Sequence, residues 1–340
     1  MKRENIGVGI THPVVTVPAR NEEKRLPALL AGLAAQTWIA ERARRLDVVI
    51  VLNNCTDGSR DAVLESVGEY PGLAVRLIDV MFAEPHAHVG SARRLAMETA
   101  FKACPLPENS AILTTDADAV PNCNWVSANL RHLCEGIDLV GGLIVGSIAE
   151  EGRLGPDFKR RAELHKRYGQ SIDRLASLID PQPHDSWPRH HDHTGASIAV
   201  RADVYQAVGG LPALPFREDV AFVDRVRCGG FLVRHPLDVV VEVSARLAGR
   251  APGGMADCLK TWMRAAATGE ALLVEDPARV LERLHRRRRL RDLGAASAGA
   301  RLATSLVPDV LDAPQTMAVE MAIEIVAEMI EQAEGDVRAA

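Results

Sequence analysis

Aromatic side chains are scarce in this chain: Phe, Trp and Tyr together make up 4% of its 340 residues. A core built with so few rings must rest on Val, Leu, Ile and Ala, and a hydrophobic content of 47% is ordinary for a globular protein. Long apolar runs are missing as well. A membrane span needs about 18 or more consecutive apolar residues, and none is found. The first residues, Met1 to Asn5, are polar and do not read as a signal peptide. The six cysteines (Cys55, Cys104, Cys123, Cys134, Cys228 and Cys258) show no Cys-x-x-Cys pair and no zinc-like spacing, so they read as reduced thiols. No Gly-x-Gly-x-x-Gly or Gly-x-x-x-x-Gly-Lys-Ser/Thr sequence occurs, which weakens dinucleotide oxidoreductase and P-loop readings. The charge is nearly balanced, 45 acidic against 40 basic residues for a net −5, and gives no general push toward nucleic acid. These absences predict a soluble, cytoplasmic protein, with room for one large α/β domain with additions or for two modest domains.

What is present is a strand that ends in acid. Ile112-Leu113-Thr114-Thr115 runs into Asp116-Ala117-Asp118. Alternate side chains share a face in extended backbone, so Asp116 and Asp118 converge. Two carboxylates at the mouth of a buried strand repel and lose hydration unless a cation lies between them. Mg²⁺ takes one or two protein carboxylates together with ligand phosphates, so a metal bearing a phosphorylated ligand suits the pair. A solvated Asp turn that stops a strand is the plainer alternative.

Around this pair the first half alternates strand and helix. Strands are predicted at 14–17, 47–52, 73–80 and 111–115, and helices at 22–37 (with Asn21 as cap), 58–67 and 90–102. That alternation predicts a mostly parallel central sheet with helices on both faces, a Rossmann-like α/β fold. Ligands bind beyond the carboxyl ends of such strands. Asn21, the loop Asn53 to Asp57 and Asp116 to Asp118 all fall there. Beyond residue 150 a helix is predicted at 154–179, then a Pro/His-rich loop at 180–193, strand character at 231–243, and a mainly helical stretch from 254. The last helix, around 318–330, carries Glu320, Glu324 and Glu328 on one face. Met321, Ile325 and Met329 form a stripe on another, which serves either core packing or a dimer contact, so a homodimer is admitted. The basic run His285 to Arg291 reads as a solvated helix face, with peripheral contact to an anionic membrane as the most it would add.

Six segments, taken together and in this order, resemble the family 2 glycosyltransferases: VVTVPARNEE (14–23), VIVLNNCTDGS (49–59), VGSARRLAMETA (89–100), ILTTDADAVPNCNW (112–125), GASIAVRADVYQAVGGLP (195–212) and REDVAFVDRV (217–226). The resemblance spans about residues 12–250. It implies a nucleotide-diphospho-sugar transferase fold of GT-A type, a divalent metal (Mg²⁺ or Mn²⁺), and inverting transfer of a sugar from a nucleotide-diphospho-sugar to a hydroxyl acceptor. The acceptor is left open as a saccharide, a lipid or a small metabolite. Residue by residue it implies that Pro18, Arg20, Glu22, Asn54 and Asp57 surround the donor nucleoside, and that Arg93 reaches the donor's nucleotide or diphosphate. Asp116 and Asp118 match the Asp-x-Asp element, with Asp118 the direct metal ligand and Asp116 beside it. Glu218 and Asp219 match the acidic pair near the acceptor, with Asp219 the general base. Gly195 and Ala196 fall at the same site. The implied organisation is a catalytic domain over 1–250, with a donor half at 1–150 and an acceptor half at 151–250, followed by a helical extension at 251–340.

Two features depart from the family pattern. Many relatives carry a metal-binding His after the strand that follows the acidic pair, where this chain reads Val241-Glu242-Val243-Ser244-Ala245-Arg246. Arg246 is expected to offset phosphate charge there instead. The second is the loop 184–193, whose His and Asp residues either bind metal or acceptor or are simply solvated. His193 is the foremost among them, because it abuts Gly195. The rival readings are a sugar nucleotidyltransferase and a non-catalytic sugar-nucleotide-binding or scaffold protein.

Overall fold

In a computed structural model, which describes residues 9–249, 255–294 and 316–339, the chain divides into two compact units. The first comprises 9–147 and 192–249, the second 148–191 with 255–294 and 316–339.

The first unit is built on a seven-stranded sheet. Its strands are β1 (His12–Ala19), β2 (Leu46–Asn53), β3 (Leu73–Val80), β4 (Ser110–Thr114), β6 (Leu139–Gly141), β8 (Ile198–Arg201) and β9 (Val233–Arg234), in the order β3-β2-β1-β4-β8-β6-β9. β1, β2, β3 and β4 are mutually parallel, and β8 runs antiparallel to both β4 and β6. The parallel strands are continuous apolar runs because both their faces are covered. Val15, Val17, Val48, Ile50, Leu52 and Leu113 pack on one face against α1 (Leu26–Ala34), α3 (Ser59–Glu69) and α5 (Trp125–Cys134). Val14, Val49, Val51 and Ile112 pack on the other against α4 (Val89–Ala103), α8 (Ala202–Ala207) and α9 (Glu218–Cys228). A small second sheet, β5-β10-β7, joins Ala119–Pro121, Val240–Val243 and Leu143–Gly146.

Several expected elements changed on folding. The helix expected over 22–37 is two helices, α1 and α2 (Thr37–Arg42), and Asn21 does not cap them. Asn21 instead adopts a left-handed φ of 55° and accepts a hydrogen bond from the Thr56 amide at 2.8 Å. The strand expected over 231–243 divides into β9 and β10, which lie in different sheets. Pro236 between them has no N–H to donate, and Asp238 turns to His132 at 2.9 Å.

The second unit holds α6 (Ile148–Glu151), α7 (Pro156–Ile179), α10 (Met255–Ala267), α11 (Pro277–Gly294), α12 (Val319–Ala339) and the two-stranded pair β11 (Leu273–Glu275) and β12 (Thr316–Ala318). Its core joins Tyr168, Leu175 and Ala176 of α7 with Val319, Ala322, Ile323 and Val326 of α12. The buried stripe of α12 is therefore not the one expected from Met321, Ile325 and Met329. Met321 is 57% exposed, and the positions 319, 322, 323 and 326 hold the apolar face at i, i+3, i+4 spacing. The arginine run on α11 is also more than a solvated face: Arg291 pairs with Asp180, and Arg288 donates to the Ile179 carbonyl at the end of α7 at 3.1 Å.

Candidate active site

Glu22, Asp57 and the Asp116/Asp118 pair follow the carboxyl ends of the parallel strands β1, β2 and β4, where β1 is flanked by β2 on one side and β4 on the other. That reversal of strand order opens a crevice for ligand. Asp116 and Asp118 follow β4 directly, and Thr115 ties that turn to the loop before β8 by donating to the Ala196 carbonyl at 2.8 Å. Because β8 is antiparallel to β4, the start of β8 faces the end of β4. Gly195 and Ala196 thus come to the same edge as the Asp pair.

Arg93, near the start of α4, joins these elements. Its Nη2 donates to Asp116 Oδ1 at 2.7 Å and its Nε to Glu218 Oε1 at 3.0 Å. Its Nη1 donates to Thr114 Oγ1 and to the Gly195 carbonyl, both at 2.9 Å. The side chain is only 3% exposed. Burial alone would weaken its charge, but Asp116 and Glu218 overcome this and raise its pKa above the ordinary value. Its hydrogen bonds run to two of the protein's own acids, the Thr114 hydroxyl and the Gly195 carbonyl.

Asp219 lies in the first turn of α9. Its Oδ2 accepts from the Gly195 amide and its Oδ1 from the Val220 amide, both at 2.7 Å. Each oxygen keeps lone-pair capacity for a further donor. The residue before the pair, Arg217, takes a left-handed φ of 56°, which turns the chain into the helix.

Arg246 stands beyond β10, in the region where a His was missing. It grips Glu22 with both Nη atoms at 2.5 Å and reaches Asp118 Oδ2 at 3.0 Å. Asp118 is nonetheless pushed up to about 6, first by burial, then by the neighbouring charge of Asp116 and of Glu22, against the opposing pull of Arg246. A carboxyl in that condition gains from a further cation. Hard oxygen donors in this number suit Mg²⁺ or Mn²⁺ completed by ligand phosphates. Among the described residues no group of three or more His, Cys, Asp or Glu gathers to hold a metal by itself.

The remaining expected residues are spread over the neighbouring loops. Arg20 is exposed and donates to the Ala87 carbonyl at 3.0 Å. Pro18 is buried inside β1, paired with Val51. Asn54 pairs its amide with the backbone of Phe82 in both directions, at 3.0 Å each. Asp57 accepts from the Ser59 hydroxyl at 2.6 Å, the Ser59 amide at 3.0 Å and the Glu23 amide at 3.2 Å. Burial would raise its pKa, but the Ser59 hydroxyl and these amides bring it below the ordinary value. The loop 184–193 does not converge on the Asp pair as a group. His191 bonds Asp173 at 2.9 Å within the second unit, whereas His193 lies in the first unit with its ring 5.5 Å from that of His235. Glu23, which accepts from the Gly58 amide at 2.9 Å, and Thr114 were not singled out from sequence. By pattern Thr114 is a neutral strand residue and Glu23 an ordinary capping acid, and only the folded contacts give them a place.

Residues 14–185 match the sequence profile of glycosyl transferase family 2. No curated protein matches the chain in sequence. Among solved structures, a mannosyltransferase from Pyrobaculum calidifontis in complex with GDP-Man and Mn²⁺ is 16% identical, with a TM-score of 0.50 over 98% of this chain and 77% of that one. TarS from S. aureus is also 16% identical, with a TM-score of 0.49 over 82% of this chain and 44% of the other. At such identities the likeness to the first concerns the fold.

Proposed function

The chain belongs to glycosyl transferase family 2, and from that premise we propose a metal-dependent, inverting transfer of a sugar from a nucleotide-diphospho-sugar to a hydroxyl acceptor. The observation that carries the reading is the single guanidinium of Arg93, which binds Asp116 on the donor side and Glu218 with the Gly195 carbonyl on the acceptor side.

In this reading Asp219 is the general base. Its carboxylate is aimed by the Gly195 and Val220 amides and takes the proton from the acceptor hydroxyl as that oxygen bonds to the anomeric carbon. The bond from the anomeric carbon to the diphosphate oxygen breaks on the opposite face, which inverts the centre. Asp118, with Asp116 beside it, would hold Mg²⁺ or Mn²⁺, and the bound cation would supply charge neutralisation to the departing diphosphate. Arg246 adds positive charge on the same side. Pro18, Arg20, Glu22, Asn54 and Asp57 line the donor edge in the proposal, with Ala196 and His193 toward the acceptor. The catalytic domain proposed over 1–250 and the extension over 251–340 are functional divisions; by packing, residues 148–191 group with 255–294 and 316–339.

Incubation with UDP-, GDP- and dTDP-sugars plus Mn²⁺, followed by measurement of nucleoside diphosphate release, tests the proposal. Release should fall by about 10²- to 10⁴-fold in Asp219→Asn, the range for loss of a positioned base. It should also be lost in Asp118→Ala. Chemistry that depends on pyrophosphate would point to a nucleotidyltransferase. Metal-dependent binding without turnover, with cell-extract acceptors supplied, would point to a scaffold.

A further inference from the structure

Gly195 is the pivot between Arg93 and Asp219. Its carbonyl accepts from Arg93 Nη1 at 2.9 Å, and its amide donates to Asp219 Oδ2 at 2.7 Å. The guanidinium lies so close that a Cβ on residue 195 would fall 2.3 Å from Arg93 Nη2. One peptide is thus held between a cation and a carboxylate. A second path runs through Glu218, the chain neighbour of Asp219, which accepts from Arg93 Nε at 3.0 Å. A third leads to Asp116 at 2.7 Å. Four of the five N–H donors of this buried side chain are therefore committed to two acids, a hydroxyl and a carbonyl of the protein.

We propose that Arg93 is a positioning residue: it does not bind the donor, but holds Asp219, through Gly195 and Glu218, in fixed spacing from Asp116. A planar fork suits this task, since its donors diverge at set angles and meet three elements at once, which a lysine ammonium on a flexible stem does not reproduce. The effect on rate is one of geometry, because a misplacement of about 1 Å in a reacting group can cost about 10²-fold. The inference rests on Asp219 being the base.

The test compares Arg93→Lys with the unaltered full chain. Binding of UDP, GDP and dTDP in Mn²⁺ is measured by calorimetry, and kcat and KM for the donor by diphosphate release. The expected result is a kcat lowered by about 30- to 100-fold, with nucleoside diphosphate binding and donor KM changed by no more than about twofold. In an Asp219→Asn background the same substitution should lower the residual rate by less than about threefold, because the group it positions is already gone. Nucleoside diphosphate binding weakened about tenfold with kcat preserved would make Arg93 a donor ligand and overturn the inference. Losses that multiply in the double variant would overturn it as well. Should Arg93→Lys fail to fold, Thr114→Val removes one of the Nη1 acceptors and carries the same expectation with a smaller fall in kcat. Full turnover in Asp219→Asn defeats the base assignment itself, a result distinct from normal kcat in Arg93→Lys alone.

Discussion

Asp118 illustrates what a single buried charge does to the site. Its carboxyl is moved from 3.8 up to about 6 by burial and by the anions of Asp116 and Glu22. Between those values the folded chain holds a proton that the unfolded chain has released. The group therefore favours the fold as pH falls through about 6 and opposes it above. A divalent cation competes with that proton. Mn²⁺ should accordingly raise the thermal midpoint more at about pH 7.5 than at about pH 5.5, as scanning fluorimetry would record. Asp118→Asn should erase the difference, and a Mn²⁺ response unchanged by pH would exclude Asp118 as the ligand. At this scale the sequence was readable where chemistry sits in a short motif: Asp116 and Asp118 follow the end of β4, and Glu218 and Asp219 open α9. The grip of Arg246 on Glu22, which spans 224 positions, was not readable. Nor was the burial of Arg93, since no local spacing encodes a partner brought in by a different strand.

Among the elements, α4 and the loop before α9 meet at Gly90. A Cβ on residue 90 would fall 2.0 Å from the Leu214 carbonyl oxygen, a contact with rigid backbone. Gly90→Ala should therefore displace the loop 211–217, which delivers Glu218 and Asp219. We expect a loss of about 1–3 kcal/mol by denaturant titration, together with reduced kcat. A variant with unaltered stability and rate would show that the loop yields freely. In the second unit, Leu175 is fully buried between α7 and its neighbours. Leu175→Ala should cost about 2–5 kcal/mol, measured the same way. The parallel strands and α7 were legible because continuous apolar runs and a long helical period are strong local signals. β8 was not recognised as a strand, and its antiparallel insertion between β4 and β6 is fixed by pairing over a long sequence distance. The split of β9 from β10 and the shifted stripe of α12 have the same origin: tertiary partners chose among faces that the sequence left nearly equivalent.

For the molecule as a whole, the family and the mostly parallel sheet follow the expectation from sequence, and no described helix is long and apolar enough to cross a membrane. By packing, the chain leaves the first unit at 147, returns at 192 and belongs to the second again from Met255. That path has a consequence for how the protein is made. α7 is complete by residue 179, but α12, which covers its apolar stripe, begins only at Val319. At about 5–20 residues per second the ribosome needs roughly seven to thirty seconds to cross that interval. Throughout it, Leu175 and its neighbours on the nascent helix wait without their final cover, and the newborn chain offers a greasy handle to any chaperone that meets it.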